Sequence, residues 1–186
     1  MEEKIRHAID ESIAVHNRLY DVIPQVRTAA EMMTQCIAAG GKVMFAGNGG
    51  SAADAQHLAA ELVNKFLRQR SPLPGLALST DTSVLTAIGN DFSFDEVFSK
   101  QIQALGRKGD VFVGISTSGN SANIIKALSV ARGMGLSTIA LTGQGGRMGE
   151  MADCTIAVPS GLTPRVQEAH ILIGHILCEI IEEAHA

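Results

Sequence analysis

Four hydroxyl side chains, Ser116, Thr117, Ser118 and Ser121, stand around Gly119 in the stretch Asp110 to Asn123, D-V-F-V-G-I-S-T-S-G-N-S-A-N. Just before them Val111, Phe112, Val113 and Ile115 form a short apolar run rich in β-branched residues, the pattern of a buried strand. Just after them Ile124, Ile125 and Leu128 fall at helical spacing. A strand that passes through a small polar loop into a helix leaves unpaired N–H groups and the positive end of a helix dipole at the strand's carboxyl end. That arrangement cradles a phosphate. The hydroxyls add donors, and a glycine lets the backbone approach closely. The plainer reading of the same residues is a serine-rich turn with a helix cap.

A second set of residues suits proton or metal chemistry. His57 and Glu61 are four apart in a helical pattern and therefore share a face, where they can converge on one metal ion or on a sugar edge. Ile171-Leu-Ile-Gly-His175-Ile-Leu-Cys178 is apolar except for His175, and Gln167 opens the same helix. A lone histidine in an apolar helix is ordinarily a satisfied core residue. Beside His57, Glu61 and an anion loop it gains a second meaning, because a carboxylate and an imidazole next to a phosphate cradle can move a proton beside a carbonyl. Gln167 and His175 are eight apart, about 12 Å along a helix axis. If both are to touch one ligand, one of them is expected from a second copy of the helix.

The elements that must position these groups follow from the hydrophobic pattern. Ile5, Ile9 and Ile13 make a narrow stripe on a helix over residues 3–22, which packs either on its own domain or on a neighbour. Pro24 opens a second helix that runs to Ala38 and stops at Gly40-Gly41. Strands are expected at Lys42–Gly47, Gly75–Ser79, Asp110–Ser116, Ser137–Thr142 and Thr155–Pro159, with helices between them near 52–68, 82–89, 94–106 and 122–133. Thr163-Pro164 then caps a long final helix to Glu183. Alternating strands and helices predict a single α/β domain over residues 1–186, a parallel sheet covered on both faces, with residues 1–40 as a helical lead-in. The first strand repeats the anion logic: Gly47-Asn48-Gly49-Gly50-Ser51 precedes a helix, and Ser51-x-x-Asp54 reads as a capping-box variant. Two such loops at strand ends could face one crevice. A third, Thr142 to Gly146, reads as a candidate loop or only a turn.

Composition excludes several classes. The 186 residues are 46% hydrophobic and carry a net charge of −4, so no global basic field invites nucleic acid or an anionic membrane. Cys36, Cys154 and Cys178 are scattered and odd in number, the usage of a reducing compartment. The Met-Glu-Glu-Lys start lacks an apolar signal region, and the expectation is a cytoplasmic protein. Gly47-x-Gly49-x-x-Ala52 fits a dinucleotide fingerprint, yet Asp81 is the nearest acidic residue at a strand end and lies well beyond the required spacing. No P-loop signature occurs, so no nucleotide cofactor is expected.

Taken together, Gly47-Asn-Gly-Gly-Ser51, Asp54-Ala-Gln-His57, Glu61, Gly89-Asn90-Asp91, Ser116-Thr-Ser-Gly-Asn-Ser121 and Arg165-x-Gln167-Glu168-x-His170…His175 resemble the sugar isomerase (SIS) family, and within it the phosphoheptose isomerases. The resemblance runs over nearly the whole chain. It implies a three-layer αβα sandwich with a five-stranded parallel sheet and flavodoxin-like winding. It further implies a homotetramer with N-terminal helices packed in the oligomer and sites at subunit interfaces. The reaction implied interconverts sedoheptulose 7-phosphate and D-glycero-D-manno-heptose 7-phosphate through an enediol, feeding heptoses to lipopolysaccharide or other surface glycans.

By the same resemblance Ser116, Thr117, Ser118 and Ser121 hold the phosphate, and Asn48, Gly49, Gly50, Ser51, Asn90, Asp91, Glu61 and Gln167 line the sugar. Glu61 is the base and His175 the acid. His57, Glu61, Gln167 and His175 match zinc-binding positions, one Zn²⁺ per site. These last two assignments pull against each other, since a carboxylate bound to zinc is a poorer base. A relative of another class shares the fold, an adaptor that binds the bacterial replication initiator without catalysis. It tends to lack the carboxylate matched by Glu61. A sugar-phosphate sensor would need an appended DNA reader, and no helix-turn-helix segment is present.

Overall fold

The computed structural model describes all 186 residues. Five parallel strands form one sheet: β1 (Val43–Gly47), β2 (Gly75–Ala77), β3 (Val111–Ser116), β4 (Ser137–Thr142) and β5 (Cys154–Ala157), in the order β2-β1-β3-β4-β5. Eight α-helices accompany them: α1 (Glu2–Asn17), α2 (Ile23–Ala38), α3 (Gly50–Val63), α4 (Thr82–Asp91), α5 (Ser99–Leu105), α6 (Ala122–Gly133), α7 (Met148–Met151) and α8 (Thr163–His185).

β1 and β3 are buried along their whole length, as a parallel sheet covered on both faces requires. Alternation decides which residues face which layer. Val43, Phe45, Val111, Val113 and Ile115 join a core with α2, α3 and α8, while Met44, Ala46 and Phe112 join a second core with α5, α6 and α7. This is the expected three-layer arrangement with flavodoxin-like strand order. Asp110 locks the lower edge of the central pair by accepting from the Lys42 and Arg107 backbone N–H groups, 2.9 and 2.8 Å away, and from the Lys42 ammonium.

Several boundaries depart from expectation for identifiable reasons. Ser51 does not open a capping box. α3 starts at Gly50 behind an N-cap at Gly49, so Ser51 is already inside the helix and no side chain caps it. Likewise α8 starts at Thr163 behind Leu162, without a side-chain cap. α3 ends at Val63, not near residue 68, because Glu182 of α8 accepts the N–H groups of Phe66, Leu67 and Arg68. The expected helix near 94–106 is a 3₁₀ turn at Phe94–Glu96 followed by α5, and α7 was not foreseen. The N-terminal helix likewise breaks at a 3₁₀ turn, Arg18–Val22, before α2. Ile5, Ile9 and Ile13 are 54%, 54% and 53% exposed, so their stripe does not lie on the chain's own core. No helix is long and apolar enough to cross a membrane.

Candidate active site

Strand order reverses between β1 and β3: the chain moves outward from β1 to β2, then returns to the other side of β1. Helices leaving β1 and β3 therefore cover opposite faces, and a crevice opens between the two loops at the strands' carboxyl ends. The two loops do meet there. Asn48 and Asn123 exchange reciprocal amide hydrogen bonds, each 2.9 Å long, and tie the β1 loop to the first turn of α6.

The hydroxyl loop is closed and internally bonded. Ser116 Oγ lies 2.8 Å from Ser121 Oγ and 3.4 Å from Ser118 Oγ, and Ser118 Oγ accepts the Asn120 N–H at 3.2 Å. Ser121 occupies the N-cap position of α6 without capping it, because its hydroxyl turns into the loop. Gly119 has φ +65°, and a Cβ there would stand 2.6 Å from the Gly145 carbonyl oxygen and from Thr142 Oγ1. Only glycine serves at such a position. The third loop, read from sequence as a candidate loop or only a turn, thereby packs against the hydroxyl loop. Met148 N–H donates to the Gly119 carbonyl at 3.0 Å and Arg147 N–H to Asn120 Oδ1 at 3.1 Å.

The proton-transfer candidates assemble on facing helices. Gly174 lets α8 approach α3 closely, since a Cβ there would meet Leu58 Cδ2 at 2.6 Å. Beside that contact, one residue before Leu58 and one after Gly174, His57 Nε2 and His175 Nε2 lie 3.1 Å apart, and His57 Nε2 is 3.2 Å from Glu61 Oε1. His57 is half exposed and Glu61 less so. Asp54, one turn earlier on the same face of α3, has an oxygen buried without a partner. Burial raises its pKa, with His57 pulling the other way.

Other candidates fall elsewhere. His57 and His175 meet within one chain, so no second copy is needed to unite them. Gln167 sits two turns before His175, as its spacing required, with its side chain against Gly50. It lines the β1 loop, about 10 Å along α3 from His57, and within this chain it is not a fourth member of the histidine cluster. Asn90 and Asp91 are exposed at the far end of α4, where Asn90 Nδ2 donates to Asp91 Oδ1 at 2.8 Å. Sequence reasoning also passed over Asn123, although a buried amide opening an apolar helix was a signal. It missed Phe66, whose ring centroid lies 5.3 Å from that of His175.

The donors fit zinc in kind. Two imidazole nitrogens 3.1 Å apart match the edge of a tetrahedral site with bonds of about 2.0 Å, which is roughly 3.3 Å. As the side chains stand, however, no three His, Cys, Asp or Glu donors surround one point.

The SIS domain family profile matches residues 9–143. The chain belongs to the SIS domain family. Among its relatives, the phosphoheptose isomerase of Rhodospirillum rubrum is 55% identical over 99% of this chain and 98% of its own length. Two solved structures share the fold closely. Phosphoheptose isomerase from Neisseria gonorrhoeae has a TM-score of 0.93 at 48% identity, covering 98% of both chains. The enzyme from Francisella tularensis has a TM-score of 0.94 at 39% identity, covering 97% of both. The likeness spans the whole of this SIS chain, including α8, which lies beyond the profile match.

Proposed function

We propose that the chain is an aldose–ketose isomerase that interconverts sedoheptulose 7-phosphate and D-glycero-D-manno-heptose 7-phosphate. The observation that carries this reading is the meeting of His57, Glu61 and His175 on α3 and α8, with α3 rising from the β1 loop that Asn48 ties to Asn123 of α6. The hydroxyl loop takes the phosphate through Ser116, Thr117, Ser118 and Ser121, and Asn48, Gly49, Gly50, Ser51 and Gln167 line the sugar. Glu61 removes a proton from C1 of the ketose while His175 donates one to the C2 carbonyl oxygen, giving the enediol. Glu61 then returns its proton to C2, and His175 takes the hydroxyl proton from O1 as the new carbonyl forms. His57 stands between them, its Nε2 hydrogen-bonded to His175 Nε2 and 3.2 Å from Glu61 Oε1.

Zn²⁺ belongs to the same proposal: His57 and His175 offer nitrogens and Glu61 an oxygen, Gln167 would have to come from a second copy of α8, and a bound ion would supply Lewis-acid polarisation of a sugar oxygen. Equilibrium dialysis should show zinc uptake that His57→Ala abolishes, and equal uptake by both proteins would dismiss these donors. A homo-oligomer, most simply a tetramer, is supported by the exposed stripe of α1 and by exposed Leu172, Ile176 and Ile180 on α8. Three buried, unpaired cysteines support a cytoplasmic setting. The adaptor reading draws no support from the site, where the carboxylate that such proteins tend to lack stands 3.2 Å from His57.

The test is turnover of sedoheptulose 7-phosphate by the purified chain and by Glu61→Gln. Wild type should convert it, and the variant should lose at least ~10²-fold with the fold intact. Equal turnover by the two proteins would take Glu61 out of the mechanism.

A further inference from the structure

We infer that Phe66 is a positioning residue for the His175 imidazole, carried by a loop that a buried Arg70–Glu182 pair fixes in place. The inference rests on the isomerase reading for the role of His175 and on geometry for everything else.

The segment after α3 has no secondary structure until β2, yet it supplies a ring against the site. Phe66 and His175 have centroids 5.3 Å apart at an interplanar angle of 31°, and on α3 the His57 ring is 5.2 Å from that of His175. A histidine ring turns broadly about its second side-chain torsion, so these two neighbours define its plane. What places Phe66 is Glu182. Its carboxylate accepts three consecutive backbone N–H groups, from Phe66 at 2.8 Å, Leu67 at 2.6 Å and Arg68 at 2.8 Å.

Arg70 holds the other end. Its guanidinium donates to the carbonyl oxygens of Glu61 at 2.8 Å, Leu62 at 2.9 Å and Ser71 at 3.0 Å, while Nε lies 3.3 Å from Glu182 Oε1. Both side chains are 1% exposed. Helix ends leave carbonyls without partners, and Arg70 takes those of the last turn of α3, the turn that carries Glu61. Buried ion pairs contribute little net stability compared with apolar packing of the same volume. This one does what apolar packing cannot: it fixes backbone direction at Glu61 and at Phe66 together. Glu182 stands seven residues after His175 on α8, two turns along the same face. One helix thus carries the imidazole and the anchor of the ring that orients it.

The experiment compares Phe66→Leu, which keeps apolar volume and loses the flat ring, with Phe66→Tyr, which keeps the ring. Phe66→Leu should lower kcat about tenfold while KM for the sugar phosphate stays within about twofold, and Phe66→Tyr should recover most of the loss. In the free protein, the His175 ring proton signals should show a ring-current shift that Phe66→Leu abolishes and Phe66→Tyr retains. Glu182→Gln, which leaves the ring untouched, should move the same signals. Wild-type kcat in Phe66→Leu, or equal losses in the Leu and Tyr variants, would overturn the inference. An unshifted His175 signal in wild type would overturn it as well. A wild type inactive on sedoheptulose 7-phosphate would withdraw the isomerase reading, and the histidine signals would then decide the stacking without it.

Discussion

His170 and His175 occupy one helix five residues apart and have opposite fates. His170 is fully buried, and burial pushes its pKa down to about 4 against the opposing pull of the Thr142 backbone. In the unfolded chain the same group titrates near 6.5. Its neutral form is therefore free of penalty above pH 6.5. As pH falls from there towards 4 the unfolded state gains the proton first, and stability drops by about 3 kcal/mol in all. Below 4 the folded state is protonated too, and this loss stops growing. Asp110 and Glu182 behave differently: burial raises them, but hydrogen bonds and neighbouring cations bring both below the ordinary carboxylate range. Their contribution is present above about pH 4 and lost only as pH falls through the lowered values, below the window in which His170 acts. Urea unfolding at pH 7, 5.5 and 4.5 should show that His170→Phe flattens this slope. An unchanged slope would mean that His170 does not titrate as a buried group.

At the scale of elements, the site is the product of two contacts. The Asn48–Asn123 pair joins the β1 loop to α6, and Gly174 against Leu58 brings α8 onto α3. The hydroxyl loop is held by its own contacts, since Ser116 and Ser121 are bonded to each other and Gly119 is wedged against the third loop. A preorganised cradle spends less of its binding energy on ordering itself. Ser121→Ala removes one donor to the phosphate dianion and should weaken binding of the sugar phosphate by about 1.5–3 kcal/mol, while the dephosphorylated sugar binds poorly to both proteins. Calorimetry showing that free sedoheptulose binds as well as its phosphate would end the cradle argument.

At the scale of the whole molecule, two apolar surfaces remain uncovered. The α1 stripe and the Leu172, Ile176 and Ile180 row of α8 are exposed in a chain whose cores are otherwise closed. Association of copies through these faces would bury them. Ile9→Glu should yield a smaller species by sedimentation with helix content retained, and turnover should fall with the assembly. A fully active monomer would defeat the proposal.

Periodicity and turn chemistry in the sequence determined the layered α/β fold, because a parallel sheet between helices writes its burial into runs of Val, Ile and Phe. They also determined the hydroxyl loop, because anion binding at a strand end uses only neighbours in sequence. The pairing of His57 with Glu61 was legible for the same reason: one helical turn relates them. Only the tertiary structure decided that His57 meets His175, 118 residues away, and that Gln167 does not join them. It alone set the end of α3, where a carboxylate 115 residues distant accepts the N–H groups that would have continued the helix. Glu182 and Arg70 had no signature, since a charged residue on a helix reads as solvent-facing until its partner is known. Local spacing encodes what one element does; contacts between elements are fixed by packing, which no window of sequence contains.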